Sequence, residues 1–146
     1  MWQKFTESAR KVMFYGQEEC QQRGDGYVSP EHLLLGLVRD SDSVAIRVLN
    51  NLHISVVQIR TELDELLKQG KVNPYSQITL TPRSKRVIDL AFDEARYLSN
   101  DYIGTEHLLL GLISESDSPA SQILVKLGTT LNDARRAVIA IQIQDH

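Results

Sequence analysis

The stretch Glu31-His32-Leu33-Leu34-Leu35-Gly36-Leu37 decides the fold of this chain, because it occurs twice. Residues 106–112 repeat it letter for letter. With leucine at three consecutive positions and again after the glycine, the stretch is apolar nearly all the way round a helix, which is typical of a helix buried on every side. We therefore expect each copy to form the central helix of its own structural unit.

The duplication extends over most of the chain. Set against each other without gaps, residues 5–67 and 80–142 are identical at 18 of 63 positions, where about four identities would be expected from ordinary composition. Self-similarity at a fixed offset is the signature of a repeat architecture, so we interpret the chain as two copies of one unit. We expect a single domain over residues 1–146, divided into repeat one at 5–69, a linker at 70–79 and repeat two at 80–143.

Each repeat is predicted to contain four helices, because apolar residues recur at spacings of three and four in four successive segments. Hydroxyl residues stand where helix starts need a side-chain cap, and three of them precede proline, which is favoured at the first helical position. The cap residues are Thr6, Ser29, Ser43 and Ser55 in repeat one and Thr81, Ser118 and Thr130 in repeat two. We see no strand pattern and therefore expect an all-α fold of eight helices.

The composition of the 146 residues is that of an ordinary globular domain. A net charge of −3 argues against a general nucleic-acid-binding surface, and no apolar run approaches the roughly 20 residues of a membrane-spanning helix. The only cysteine, Cys20, cannot form an internal disulfide, and residues 1–4 do not resemble a secretory signal. We therefore expect a reducing compartment, either the cytoplasm or a plastid stroma, and no nucleic-acid or membrane partner.

Two further segments accompany the duplicated stretch: the opening Phe5-Thr6-x-x-Ala9-x-x-Val12 and the segment Leu80-Thr81-Pro82-Arg83-Ser84-Lys85-Arg86-Val87. Together with the offset of 75 residues, they make the chain resemble the Clp N-terminal repeat domain, and more narrowly the ClpC branch of the Clp/Hsp100 AAA+ unfoldases. The resemblance covers residues 2 to about 142. It implies a pseudo-two-fold domain of eight helices, mounted in front of ATPase rings that feed unfolded substrates to the ClpP peptidase.

The ATPase itself is not expected in this chain, because the phosphate-binding loop Gly-x-x-x-x-Gly-Lys-Ser/Thr is missing from it. We therefore predict a non-enzymatic binding module that needs no cofactor. Two alternatives stay open. The chain is either the substrate- and adaptor-docking domain of a ClpC-type unfoldase, acting in regulated degradation with ClpP, or a free-standing, ClpT-like accessory protein that binds the Clp protease core or an unfoldase without delivering substrate.

Glu31 and Glu106 open the two copies of the repeated stretch, within the first turn of their predicted helices. A carboxylate there complements the helix dipole, which is one sufficient explanation. The family resemblance implies another, since the matching glutamates of ClpC domains are associated with binding phosphoarginine on proteins marked for degradation. The carboxylate would take the guanidinium, while free helix amides and the hydroxyls of Thr6 and Thr81 would take the phosphate.

The two predicted sites are not expected to be equal. Repeat one reads Ser29-Pro30-Glu31-His32, whereas repeat two keeps the Gly-Thr-Glu-His pattern of the family at residues 104–107. Proline lacks both a hydroxyl and an amide donor. We therefore predict that the site around Glu31 is the weaker one.

His32 and His107 follow these glutamates and invite a metal-binding or catalytic interpretation. Each motif holds a single histidine, the chain has one cysteine, and no cluster shows metal-ligand spacing. We therefore expect no metal site and no catalytic residue, and we interpret both histidines as structural residues with a local hydrogen bond.

A second candidate surface, for adaptors or cyclic peptides, combines Trp2, Leu80, Lys85 and Asp89. In related mycobacterial ClpC domains the corresponding region forms a groove that binds cyclic-peptide antibiotics. Leu80 stands where those domains have phenylalanine and Asp89 where they have glutamate, so such ligands are expected to bind poorly here. The alternative is that Trp2 only covers the edge of the core.

The basic residues Arg83, Lys85 and Arg86 are typical of a solvated helix face. Their functional alternative is to dock an acidic patch on a MecA- or McsB-like adaptor. The partners implied by the resemblance are such adaptors, arginine-phosphorylated or unfolded substrate proteins and, through a full-length unfoldase, the ClpP-containing protease complex.

Overall fold

The computed structural model describes residues 2–68 and 79–145. Within these ranges the chain forms eight α-helices, so the all-α fold of two four-helix units is confirmed. Repeat one holds α1 (Glu7–Gln22), α2 (Pro30–Leu37), α3 (Val44–Asn51) and α4 (Val56–Leu67). Repeat two holds α5 (Pro82–Tyr97), α6 (Thr105–Ser114), α7 (Pro119–Leu127) and α8 (Leu131–Gln144). A short 3-10 helix, Trp2–Lys4, precedes α1.

The helices begin at the predicted caps. Thr6 Oγ1 accepts a hydrogen bond from the Ala9 amide at 3.1 Å, and Thr81 Oγ1 accepts one from the Ser84 amide at the same distance. The other caps are Ser29, Ser43, Ser55, Ser118 and Thr130. Each bond satisfies one of the amides that the first turn of a helix leaves without an intrahelical partner. Helix α6 differs, because its cap residue, Gly104, has no side chain.

Helices α2 and α6 lie at the centre of the molecule. Every residue of α2 is buried, and so is every residue of α6 except Ser114. Helix α2 contacts α1, α6 contacts α5 in the equivalent way, and α2 and α6 also contact each other. The buried apolar side chains of both repeats therefore form one continuous core. The prediction that the duplicated stretch forms the central helix of each unit is confirmed.

The glycine of the repeated stretch sets the distance between the central helix and the first helix of its repeat. A Cβ atom at Gly36 would lie 2.6 Å from the carbonyl oxygen of Val12 and 2.8 Å from the amide nitrogen of Gly16. A Cβ atom at Gly111 would meet the backbone of α5 in the same way. Backbone atoms cannot move aside as the end of a side chain can, so these close helix contacts require glycine.

Two short strand contacts join the repeats, which corrects the prediction that the chain has no strands. Strand β1 (Tyr27–Val28) pairs in parallel with β2 (Thr79–Leu80), and an isolated parallel bridge joins Phe5 to Ile103. The two contacts are pseudo-equivalent. In each of them, the residues just before the first helix of one repeat pair with the residues just before the central helix of the other repeat. Two residues are too few to show the alternation that marks a strand in a sequence.

Residues 70–78 of the predicted linker lie outside the described part of the chain. Its last residue, Thr79, belongs to β2 and pairs with Tyr27. The division of the chain into repeats at these particular residues stays a prediction.

Gly36→Ala is expected to destabilise the domain by about 1–3 kcal/mol, because the added methyl group would overlap backbone atoms of α1. Gly16→Ala is the matched control. A Cβ atom at Gly16 would approach the movable end of Leu33 at 3.2 Å, and repeat two already carries alanine at the equivalent position, Ala91. Urea unfolding of both variants measures the difference. Equal free energies of unfolding would contradict the argument.

Candidate functional site

Two cavities lie where the start of a central helix meets the other repeat. The Glu106 cavity, of about 280 Å³, is lined by residues that include Thr6, Ser8, Asp42, Tyr102, Glu106 and Asp145. The Glu31 cavity, of about 490 Å³, is lined by residues that include Asp25, Tyr27, Glu31, His32, Leu67 and Thr81. Each predicted glutamate therefore lies with the predicted threonine of the other repeat, and the two cavities are pseudo-equivalent.

The carboxylate of Glu106 is buried, with 4% of the residue exposed. Burial raises the pKa of Glu106, and the negative charge of Asp145 adds to the rise. Hydrogen bonds from the residue's own amide and from the side chain of Tyr102 oppose it. Both of these donors belong to the short segment 102–106, so the carboxylate is held by local contacts.

Glu31 is a link between the two repeats. The residue is 8% exposed, and its Oε2 accepts a hydrogen bond of 3.1 Å from the amide of Ala120, in the first turn of α7. Burial raises the pKa of Glu31, while the Ala120 amide and the positive charge of Arg83 oppose that rise. Glu31 therefore caps a helix of the other repeat. Neither the burial of Glu31 nor this hydrogen bond was predicted from the sequence.

The equivalent amide in repeat one has a different acceptor. Ala45, the counterpart of Ala120, donates to Thr105 Oγ1 at 3.0 Å. Thr105 stands at the position that Pro30 occupies in repeat one. The missing hydroxyl at position 30 is the sequence signal that could have revealed this exchange of acceptors.

The Glu106 cavity holds groups suited to cations and groups suited to anions. Asp42 and Asp145 add their carboxylates to that of Glu106. Thr6 and Ser8 bring hydroxyls at the start of α1, and the starts of α3 and α6 also line the cavity. Helix N-termini favour anions, because their first amides lack intrahelical partners and carry the positive end of the helix dipole. One cavity thus offers acceptors for a guanidinium and donors for a phosphate.

An ion pair holds one wall of the Glu106 cavity in place. Arg47 of α3 donates two hydrogen bonds to the carboxylate of Asp145, at 3.1 and 3.2 Å. The pair joins repeat one to the end of α8. Neither residue was predicted from the sequence, nor was Asp42, because no spacing shows that α3 and the end of α8 meet.

The two histidines bind the backbone at the starts of α2 and α6. His32 Nδ1 accepts a hydrogen bond from the Ser29 amide at 3.0 Å, and His107 Nδ1 accepts one from the Gly104 amide at 2.9 Å. An acceptor Nδ1 places the ring proton on Nε2, which lies 2.7 Å from an Asp25 oxygen in repeat one and 2.8 Å from Asn100 Oδ1 in repeat two. The interpretation of both histidines as structural residues is confirmed.

Burial and hydrogen bonding also account for the potentially reactive groups elsewhere. Cys20 is buried and donates a hydrogen bond from its thiol to the carbonyl oxygen of Asp25, and burial raises the pKa of this thiol to about 11.

In residues 2–68 and 79–145, no three His, Cys, Asp or Glu side chains come close enough together to hold a metal ion. None of the helices in that part of the chain is long and apolar enough to cross a bilayer.

The residues of the second candidate surface lie on three elements: the 3-10 helix before α1, strand β2 and helix α5. Trp2, 51% exposed, lies against Phe5 with ring centroids 4.9 Å apart, so it covers the edge of the core near the Phe5–Ile103 bridge. Leu80 belongs to the other strand contact, in β2, and Lys85 is exposed on α5. Asp89 lines a third cavity, of about 460 Å³, together with Lys4 and Phe92. That these four residues form a groove stays a prediction.

The fold and the paired cavities define the class of protein: a duplicated helical domain whose polar pockets are assembled from both repeats. The sequence profile described as "Clp repeat (R) N-terminal domain" matches residues 4–138. The chain belongs to this family of non-catalytic binding modules, as the sequence resemblance indicated.

Curated relatives that match nearly the whole of this chain are much longer proteins. Over 141 residues, 97% of this chain, the sequence is 43% identical to the chaperone protein ClpB of Oceanobacillus iheyensis. Over the same length it is 42% identical to the negative regulator of genetic competence ClpC/MecB of Bacillus subtilis. The chain spans 17% of either relative.

Solved structures share the fold. The N-terminal domain of ClpD from Arabidopsis thaliana matches with a TM-score of 0.72 at 25% identity, covering 96% of this chain and 95% of that one. The Hsp104 N-terminal domain from Candida albicans matches with a TM-score of 0.79 at 16% identity, covering 95% and 91%. A ClpV N-domain solved in complex with a VipB peptide matches with a TM-score of 0.72 at 17% identity, covering 85% and 76%. The Clp N-terminal domain fold is therefore confirmed.

His107→Gln is expected to flatten the acid dependence of stability. Burial lowers the pKa of His107 to about 4, below the ordinary value near 6.5. The folded state therefore binds fewer protons than the unfolded chain between these values, and stability is lost as pH falls from about 6.5 to 4, by about 3 kcal/mol in all. Glutamine keeps an acceptor for the Gly104 amide but does not titrate.

Urea unfolding at pH 7, 5.5 and 4 measures this effect. His32→Gln is the control, because Asp25 opposes the effect of burial on the pKa of His32, so its substitution should remove less of the pH dependence. The same slope of stability against pH in wild type and His107→Gln would contradict the prediction.

Proposed function

We propose that this chain is the substrate- and adaptor-docking domain of a ClpC-type, ATP-dependent unfoldase that works with ClpP in regulated protein degradation, and that its Glu106 cavity recognises phosphoarginine. Membership of the Clp repeat family and 42% identity to ClpC/MecB support the first part. Coverage of only 17% of that relative fits a front domain of a longer protein. We place this activity in the cytoplasm or a plastid stroma.

The composition of the Glu106 cavity is the observation that carries the phosphoarginine proposal. Phosphoarginine joins a cationic guanidinium to a phosphate, so its binding site needs acceptors and donors a few ångströms apart. Glu106 and Asp42 supply carboxylates for the guanidinium, since the carboxylate of Asp145 is paired with Arg47, while the hydroxyls of Thr6 and Ser8 stand at the start of α1. Charge-assisted hydrogen bonds of this kind are about twice as strong as neutral ones.

The same chemistry predicts selectivity. Unmodified arginine would leave the α1 amides and hydroxyls without an anion, and phosphoserine would leave the buried Glu106 carboxylate without a cation. Burial of Glu106 strengthens its interaction with a bound guanidinium, because little water screens the pair. Each incomplete ligand therefore loses a charged contact.

Adaptor docking is the second part of the proposed function. Arg83 and Lys85 are exposed on the first turns of α5 and offer positive charge to an acidic adaptor surface. Arg86 contributes less than the sequence indicates, because its Nε lies 2.7 Å from a carboxylate oxygen of the buried Glu115. A MecA- or McsB-like partner would therefore contact mainly Arg83 and Lys85.

Glu106→Gln is expected to weaken binding of a phosphoarginine peptide by about 10- to 100-fold, because glutamine keeps the shape of the side chain but lacks the negative charge that accepts from the guanidinium. Glu31→Gln is the matched control and should change affinity less than about threefold, since Glu31 is committed to Ala120. Calorimetric titration measures both affinities. A peptide with unmodified arginine controls for the phosphate.

Two outcomes would contradict the proposal. A larger loss from Glu31→Gln than from Glu106→Gln would reverse the assignment of the cavities. Equal retention of phosphorylated and unmodified peptides would exclude phosphoarginine recognition, while leaving the adaptor-docking role standing.

A further inference from the structure

We propose that one position, occupied by Pro30 in repeat one and Thr105 in repeat two, decides which cavity has a carboxylate available for a ligand, so that this chain binds one phosphoarginine instead of two. The binding half of this inference rests on the function proposed above. Its structural half concerns the hydrogen bonds between the repeats and stands on its own.

Two equivalent backbone amides, one in each repeat, need a hydrogen-bond acceptor outside their own helix. Ala45 and Ala120 are the second residues of α3 and α7, and both are fully buried. An amide in the first turn of a helix has no intrahelical acceptor, and a buried one must find another. Each finds it on the central helix of the other repeat: Ala45 at Thr105 Oγ1 and Ala120 at Glu31 Oε2.

The choice of acceptor follows from a single difference in sequence. In repeat two the hydroxyl of Thr105 meets the amide, and the next residue, Glu106, is left out of that bond. In repeat one the same position is Pro30, which has no hydroxyl. The neighbouring carboxylate of Glu31 takes its place at 3.1 Å from the amide nitrogen.

This substitution removes Glu31 from ligand binding. A ligand that drew Glu31 away would leave the Ala120 amide buried without a partner, which would weaken its binding by about 5- to 150-fold. No helix of the other repeat depends on Glu106 in this way, because its donors are its own amide and Tyr102 in the same segment. The arrangement also gives the buried amides at the starts of α3 and α7 an acceptor without help from a ligand.

A second difference acts in the same direction. Position 83 is arginine, whereas the equivalent position of repeat one is Ser8, which lines the Glu106 cavity. The positive charge of Arg83 already acts on the Glu31 carboxylate. A guanidinium from a ligand would therefore compete with one that the chain supplies itself.

Pro30→Thr tests the inference, because it gives the Ala120 amide the acceptor that Thr105 gives to Ala45. We expect calorimetry with a phosphoarginine peptide to show one site per chain in the wild type and two in Pro30→Thr. The second site should disappear in Pro30→Thr/Glu31→Gln and become tighter in Pro30→Thr/Arg83→Ser. If Pro30→Thr folds poorly, Pro30→Ser supplies the same hydroxyl.

A measurement without ligand tests the structural half. In the wild type the NMR shift of the Ala120 amide should follow the titration of Glu31 as the pH is lowered, and in Pro30→Thr it should not. An Ala120 shift that still follows Glu31 in that variant, or a single site in every variant, would overturn the inference. A third outcome separates the two halves: the Ala120 shift no longer follows Glu31 in Pro30→Thr, and neither the wild type nor any variant binds the peptide. That result would overturn the proposed function and support the exchange of acceptors.

Discussion

The contact between helix backbones at Gly36 and Gly111 is the constraint on which the rest of the structure depends. It lets each central helix lie directly against the first helix of its repeat, and the two central helices then share one core. In that position the first residues of α2 and α6 lie against the opposite repeat, where Glu31 meets α7 and Thr105 meets α3. The cavities exist because central helices start at the boundary between the repeats, so the residues that pack the core also place the candidate binding groups.

The duplication is preserved in the backbone and has diverged in the side chains that make polar contacts. The second residue after the first helix has a positive φ in both repeats, 72° at Gly24 and 60° at Ser99, although only one of them is glycine. In both repeats a buried glutamate pairs with an arginine of the fourth helix. The pair is close in repeat two, where Arg135 Nε lies 2.6 Å from Glu94, and looser in repeat one, where Arg60 and Glu19 are 4.0 Å apart. Equivalent positions thus keep the same backbone arrangement but make different polar contacts, and the same is true of the two cavities.

Sequence patterns predicted the features that depend on neighbours along the chain. Helix starts, the central helices and the structural histidines are set by residues three or four positions apart, and those were correct. The strand contact between Val28 and Leu80 was missed, because two residues carry no periodicity. The partnership of Thr6 with Glu106 across the repeats was also beyond reach, since spacing within a repeat says nothing about how the repeats are oriented.

The two buried glutamates differ in what offsets the cost of their ionisation. A buried carboxylate whose pKa is raised makes the folded state bind a proton more tightly than the unfolded chain, so its ionisation at neutral pH lowers the free energy of unfolding. For Glu31 the bond to Ala120 and the charge of Arg83 offset part of this cost, and the bond caps a helix. For Glu106 the nearby charge of Asp145 increases it. A cation bound beside Glu106 would oppose that contribution, because it favours the ionised form of this carboxylate. A guanidinium ligand would therefore offset at Glu106 a cost that the bond to Ala120 and the charge of Arg83 already offset in part at Glu31.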